Sequence, residues 1–252
     1  MAVTRDQVMQ VRRFAGDRIV VTCEHASNAV PKSLKPGLGV GGAVLRTHVA
    51  WDRGSRELAS ILAHRLGATQ FMGRQTRLVV DLNRNRGSRQ LIPTKTFGVD
   101  IPGNKKLTRK DREDRIEKFW VPYREAVEAA VQQAIDRGGE CLHISVHTFV
   151  PKPNGKERPA EIGIVLDPSR RRERKFAEAL KARLEDVLLE VRMNYPHKNT
   201  PDGLIAHLRG TFPKSRYLGI ELEVNQDVIG SNRNLWRTGR VLTEALAEVV
   251  EV

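Results

Sequence analysis

The chain has 252 residues, 40% of them apolar and only 5% aromatic, and its formal net charge is +13. That length and apolar share support a sizeable core, read as one domain spanning 1–252. No run approaches the roughly 18 uncharged apolar residues of a membrane helix, and the opening MAVTRDQVMQVRRFAGDR lacks the apolar centre of a secretory signal, so a cytoplasmic protein with no membrane partner is expected. Two cysteines, Cys23 and Cys141, sit in apolar runs and exclude a disulfide framework and a zinc–cysteine cluster. Any metal is therefore left to histidine and carboxylate. The positive charge fits an anionic small molecule or nucleic acid. Its basic residues are spread along the chain, with clusters at 104–116 and 168–175, and no binding module or aromatic platform accompanies them.

In chain order, residues 18–23 (RIVVTC) read as a buried strand. Residues 52–66 form an amphipathic helix, with Leu58, Ile61, Leu62 and Leu66 on one face. The segments 68–72 and 78–82 (LVVDL) read as the next strands. A long helix is expected over 108–137, closed by Gly138-Gly139. Strands follow at 142–146 and 161–166, then a helix at 171–188, a strand at 190–193 and a loop-rich stretch over 194–216. A strand at 217–224 and a helix at 235–249 close the chain. Strands separated by helices imply an α/β fold, a mostly parallel, mixed sheet with helices on both faces. Ligands of such sheets bind beyond the carboxyl ends of the strands.

Four strand ends carry residues with chemical capacity: Cys23-Glu24-His25, Asp81-Leu82-Asn83-Arg84, His147-Thr148 and Glu221-Leu222-Glu223. Alone, His25 or His147 is an ordinary polar residue at a strand end. Together they can converge on a metal, because neutral imidazole is a common ligand. Arg77, Asn83 and Arg84 offer donors that suit a carboxylate. Glu221 and Glu223 share one face of their strand, where glutamate is depleted. Either that face is solvated, or one carboxylate is aimed at a site. His143 reads as a satisfied core histidine, His64 as an exposed helix residue, and the stretch holding Asn194, His197 and His207 as a pocket wall or lid.

Six segments, in order, carry a resemblance: TCEHASNAVP, THVAWDRGSRELA, TRLVVDLNRNRGSRQLIP, SVHTF, MNYPH and IELEVNQDVI. Over nearly its whole length the chain resembles the N-formylglutamate amidohydrolase family and, more distantly, the zinc carboxypeptidase and aspartoacylase superfamily. The resemblance implies a zinc-carboxypeptidase-like fold and one Zn2+ per chain, held by His25 and His147. It implies Glu223 as general base, Arg77 as the group polarising the scissile carbonyl, and Asn83 and Arg84, with Asn194 nearby, as binders of the substrate carboxylate. Where the distant superfamily places a glutamate three residues after the first histidine, this chain has Asn28. Asp52 is the candidate for the missing metal ligand, with His48 as the alternative. The implied activity is hydrolysis of an anionic N-acyl amino acid such as N-formyl-L-glutamate. Competing readings are a zinc peptidase or deacylase of another small N-acyl substrate, a metal-free relative that only binds ligand, and a basic nucleic-acid-binding protein without catalysis.

Overall fold

The computed structural model describes residues 16–34, 37–187, 189–198 and 201–251, so the opening segment 1–15 and the last residue of the expected helix 171–188 lie outside the described residues. Among the described residues the strands are β1 (Ile19–Cys23), β2 (Thr69–Met72), β3 (Lys95–Thr96), β4 (Val99–Asp100), β5 (Cys141–Phe149), β6 (Ile162–Val165), β7 (Val191–Met193) and β8 (Tyr217–Asn225). The α-helices are α1 (Gly42–Leu45), α2 (Ser55–Leu66), α3 (Pro102–Lys105), α4 (Arg109–Arg115), α5 (Val121–Gly138), α6 (Arg171–Glu185), α7 (Leu204–Thr211) and α8 (Asn232–Glu251). Six strands form one sheet in the order β2-β1-β5-β8-β6-β7, and β3 and β4 form a separate hairpin. Strands β2, β1, β5 and β8 run parallel, whereas β6 is antiparallel to β8 and carries β7 parallel to itself.

The two central strands sort their residues by alternation. Leu142, Ile144 and Val146 of β5, with Leu218, Ile220, Leu222 and Val224 of β8, pack under α2, α6 and α8. The intervening residues of β5, Cys141, His143, Ser145 and His147, face the other way. On that second face, Cys141 and Tyr217 join α5 and α7 in an apolar cluster at one end of the sheet. Polar side chains occupy the same face toward the carboxyl ends. His143 is fully buried, with its ring nitrogens 2.9 Å from Thr22 Oγ1 and 2.7 Å from Tyr217 Oη. It thereby ties β1, β5 and β8 together.

One expected strand is absent. LVVDL is fully within the protein, yet residues 78–82 run as turns and irregular chain and pair with no strand. Its backbone finds partners elsewhere, as buried amides must. Asp81 N–H donates to Leu91 O at 2.7 Å, and Asn104 Nδ2 donates to Leu78 O at 2.8 Å. Leu82 O accepts from Arg124 Nη1 at 3.2 Å. The apolar residues of this segment form a cluster of their own, over which Trp51, Phe119 and Trp120 pack.

The expected helix 108–137 starts at a capping box on Thr108 and Asp111, but a π-turn at Ile116–Trp120 divides it into α4 and α5. Trp120 Nε1 then donates to Arg84 O at 2.9 Å, so this helical pair holds the loop that follows LVVDL. The stretch expected to be loop over 194–216 contains helix α7, whose buried Leu204, Ile205 and Leu208 pack against the sheet.

Candidate active site

The chain leaves β1 through α2 to β2 on one side and reaches β5 on the other, which makes the gap between the carboxyl ends of β1 and β5 a topological switch point. His25 follows β1 by two residues, and His147 lies near the end of β5. Their ring centroids are 5.0 Å apart. Glu223 is the register partner of His147 on β8, so the sheet ladder itself sets those two side by side.

Asp52, just before α2, completes the cluster. Its Oδ2 lies 2.9 Å from His147 Nδ1 and 3.4 Å from His25 Nδ1. His25, Asp52 and His147 are all buried and can bring donor atoms within 4.8 Å of one another. The far nitrogen of each ring is held by another carboxylate. His25 Nε2 lies 2.7 Å from Asp81 Oδ1, and His147 Nε2 lies 3.1 Å from Glu24 Oε2. These carboxylates fix both ring orientations, and His147 meets one at each nitrogen, Glu24 at Nε2 and Asp52 at Nδ1. Glu24 in turn accepts hydrogen bonds from Ser145 Oγ at 2.6 Å and Tyr123 Oη at 3.2 Å. Arg77 pairs with Asp52 Oδ1.

This donor set fits a divalent cation. His25 Nδ1 is buried with no hydrogen-bond partner. Three buried carboxylates (Glu24, Asp52 and Asp81) surround the two imidazoles, and Arg77 pairs directly with Asp52. Burial favours the neutral carboxyl in each case, but the neighbouring charges decide otherwise. Arg77 and His25 hold Asp52 well below the usual carboxylate range, and His25 holds Asp81 down at about 2. Burial pushes His147 down, yet its bonds to Asp52 and Glu24 outweigh this and raise it well above the ordinary histidine value. Glu223 goes the other way. Burial first, then the carboxylates of Asp52 and Glu221, raise it to about 7 against the pull of His147.

A cavity of about 420 Å³ opens above the cluster, lined by His25, Asp52, Arg77, Asn83, Arg84, His147, Glu221 and Glu223, and further out by His48, Phe97, Arg158, His197 and Lys198. Asn83 Oδ1 accepts from Leu204 N–H at 2.8 Å, while its Nδ2 lies 3.4 Å from His147 Nε2. Arg84 leans on Asp202, donating to its carbonyl oxygen at 3.0 Å. Asn194 is not among the lining residues. It follows β7 with φ 49°, and its Oδ1 accepts from Leu166 N–H at 3.0 Å, so its side chain is occupied at the end of β6. His48 lines the outer cavity beside Phe97 and does not join the metal-type cluster. Asn28 donates to Leu45 O at 3.0 Å and serves the loop.

Glu24 and Asp81 escaped sequence reasoning as partners of the histidines. Their signal was present, since each lies in a segment already marked for its chemistry, but only the fold shows which nitrogen each one meets. Ser145 could have been found from the alternation of His143, Ser145 and His147 along one strand face.

The N-formylglutamate amidohydrolase family profile matches residues 17–230. The solved structure of a gene product from Agrobacterium tumefaciens is 30% identical, with a TM-score of 0.82 over 92% of this chain and 90% of that one. An N-formylglutamate amidohydrolase from Ralstonia eutropha JMP134 shares the fold at 19% identity, with a TM-score of 0.71 over 93% of both chains. Among proteins of curated function, none matches the chain in sequence. The fold and the family profile make this an α/β protein of the amidohydrolase class. It belongs to the N-formylglutamate amidohydrolase family.

Proposed function

We propose that the protein is a zinc-dependent amidohydrolase that cleaves the acyl group from an anionic N-acyl amino acid, with N-formyl-L-glutamate as the first substrate to test. The observation that carries this reading is the His25–Asp52–His147 cluster, whose two histidines each have the far ring nitrogen fixed by a buried carboxylate. Two nitrogens and a carboxylate oxygen, with a cavity on the open side, are a donor set suited to catalytic zinc. When bound, Zn2+ supplies Lewis acidity, polarising a carbonyl and acidifying water.

The chain's own residues do the rest. Glu223, level with His147 across the ladder, takes the proton of the attacking water and passes it to the leaving amine. Arg77 lines the cavity with its charge anchored by Asp52 and stabilises negative charge developing on the acyl oxygen. Arg84 and Asn83, held by Asp202 and Leu204, present donors to the substrate carboxylate.

Two measurements test the reading. Metal content, determined by mass spectrometry on protein purified without a metal-affinity tag, is expected to be near stoichiometric in wild type and lost in the His25→Ala/His147→Ala double variant. Glu223→Gln is expected to keep its metal and lose ~10²–10⁴-fold in kcat on N-formyl-L-glutamate. Wild-type protein that stays metal-free after zinc is added back, or a Glu223→Gln variant of undiminished rate, would sink the corresponding part of the proposal.

A further inference from the structure

An N-acylated acidic amino acid carries two carboxylates, and the cavity's cations are not equally free to meet them. Arg77 is committed to Asp52, and Arg84, steadied by Asp202, is the partner assigned above to one carboxylate. Arg158 has no carboxylate partner among the described residues, is a half-buried residue of the cavity wall, and donates from Nη1 to Val150 O at 3.4 Å. It stacks on the ring of Phe149, 5.7 Å from its centroid, at the end of the same strand that carries His147.

The backbone that presents Arg158 is pinned. Arg158 N–H donates to Pro151 O at 2.7 Å, which closes the loop 151–158 at its neck. Asn225 Nδ2, at the end of β8, donates to Arg158 O at 3.3 Å and to Ala160 O at 3.1 Å. The residue is thus tied to the ends of both strands that supply His147 and Glu223. Burial, and with it cations that include Arg158, lowers the proton affinity of both His48 and His197, so the guanidinium acts on both of these outer-cavity residues. A pre-positioned cation that lines a small-molecule cavity and has no carboxylate partner among the described residues is suited to receive an anion.

We infer that Arg158 is the specificity-determining residue that binds the second, side-chain carboxylate of the substrate and so selects acidic N-acyl amino acids over neutral ones of the same shape. This rests on the function proposed above and names the group that sets its substrate class.

The test compares kcat/KM of the zinc-loaded protein for N-formyl-L-glutamate and for N-formyl-L-glutamine, which has nearly the same shape without the second charge. Arg158→Met is expected to lower kcat/KM for the glutamate substrate by about 10- to 100-fold, the worth of one hydrogen bond to a charged group, and to leave the glutamine substrate near its wild-type value. Arg158→Lys is expected to recover part of the loss. The glutamine substrate serves as the internal control for folding. Equal loss on both substrates would overturn the inference, and so would a selectivity change produced by Lys198→Met in place of Arg158→Met. Wild-type protein that hydrolyses neither substrate would sink the proposed function, and this inference with it. Wild-type protein that hydrolyses both, with a ratio unmoved by Arg158→Met, would sink the inference alone.

Discussion

The two histidines of the cluster differ from ordinary strand-end histidines by what lies behind them. Glu24 is buried under His147, with Ser145 and Tyr123 completing its hydrogen bonds. A carboxylate in that position fixes the ring and increases its basicity as a ligand. Glu24→Gln is therefore expected to weaken zinc binding by about 10- to 100-fold, measured by competition with a chromophoric chelator. Unchanged affinity would mean that ring orientation, which glutamine can also supply, is all that Glu24 provides. At this scale the sequence was informative about residue types and less so about directions. The strand-end rule located His25 and His147, and the HVAWD segment offered Asp52. It could not show that Arg77 turns onto Asp52 or that Asn194 turns away to cap Leu166, because both depend on chain segments far apart in sequence.

Among the elements, the strands of the central sheet and the helices α2, α6 and α8 follow periodicity closely, since burial on one face or both writes itself into the pattern, whereas α7 fell in a stretch expected to be loop. LVVDL failed for a definite reason. A short apolar run reports burial, and burial alone does not say that a neighbouring strand supplies the hydrogen bonds. Here the side chains of Asn104 and Arg124 and the backbone of Leu91 supply them, and no local pattern announces such partners. The β3–β4 hairpin shows the opposite situation, a local rule broken. Its turn is Phe97-Gly98, with φ 47° and 79°, and Phe97 is 57% exposed at the cavity rim. A left-handed conformation costs a bulky residue roughly 1 kcal/mol, whereas asparagine tolerates it. Phe97→Asn is expected to stabilise the protein by about 1 kcal/mol, or ~2–4 °C in Tm, while raising KM through loss of the cavity wall. A lower Tm would show that the contact between Phe97 and His48 outweighs the backbone strain.

For the molecule as a whole, His143 makes stability depend on pH. Its ring is buried at the junction of three central strands, and burial drives its pKa from 6.5 to about 4. The unfolded chain therefore binds a proton between these values that the folded chain refuses, so stability falls as pH drops from about 6.5 toward 4 and the loss saturates below that. By pH 5 this single group costs about 2 kcal/mol relative to pH 7. Denaturant titrations with chelator present at both pH values are expected to show a smaller pH effect in His143→Gln than in wild type. Equal pH effects would assign the acid sensitivity to other groups. No helix among the described residues is long and apolar enough to cross a membrane.

The pairing of His147 with Glu223 in the sheet register separates two things that selection can alter independently. The positions of His147 and Glu223 are set by the backbone ladder of the central strands, which tolerates little change without shifting everything attached to it. The rim includes the β3–β4 hairpin, which is separate from the central sheet, and the 151–158 segment, tied to the end of β8 through Asn225. Changes confined to the rim can therefore alter what the cavity admits while leaving the ladder beneath it in place.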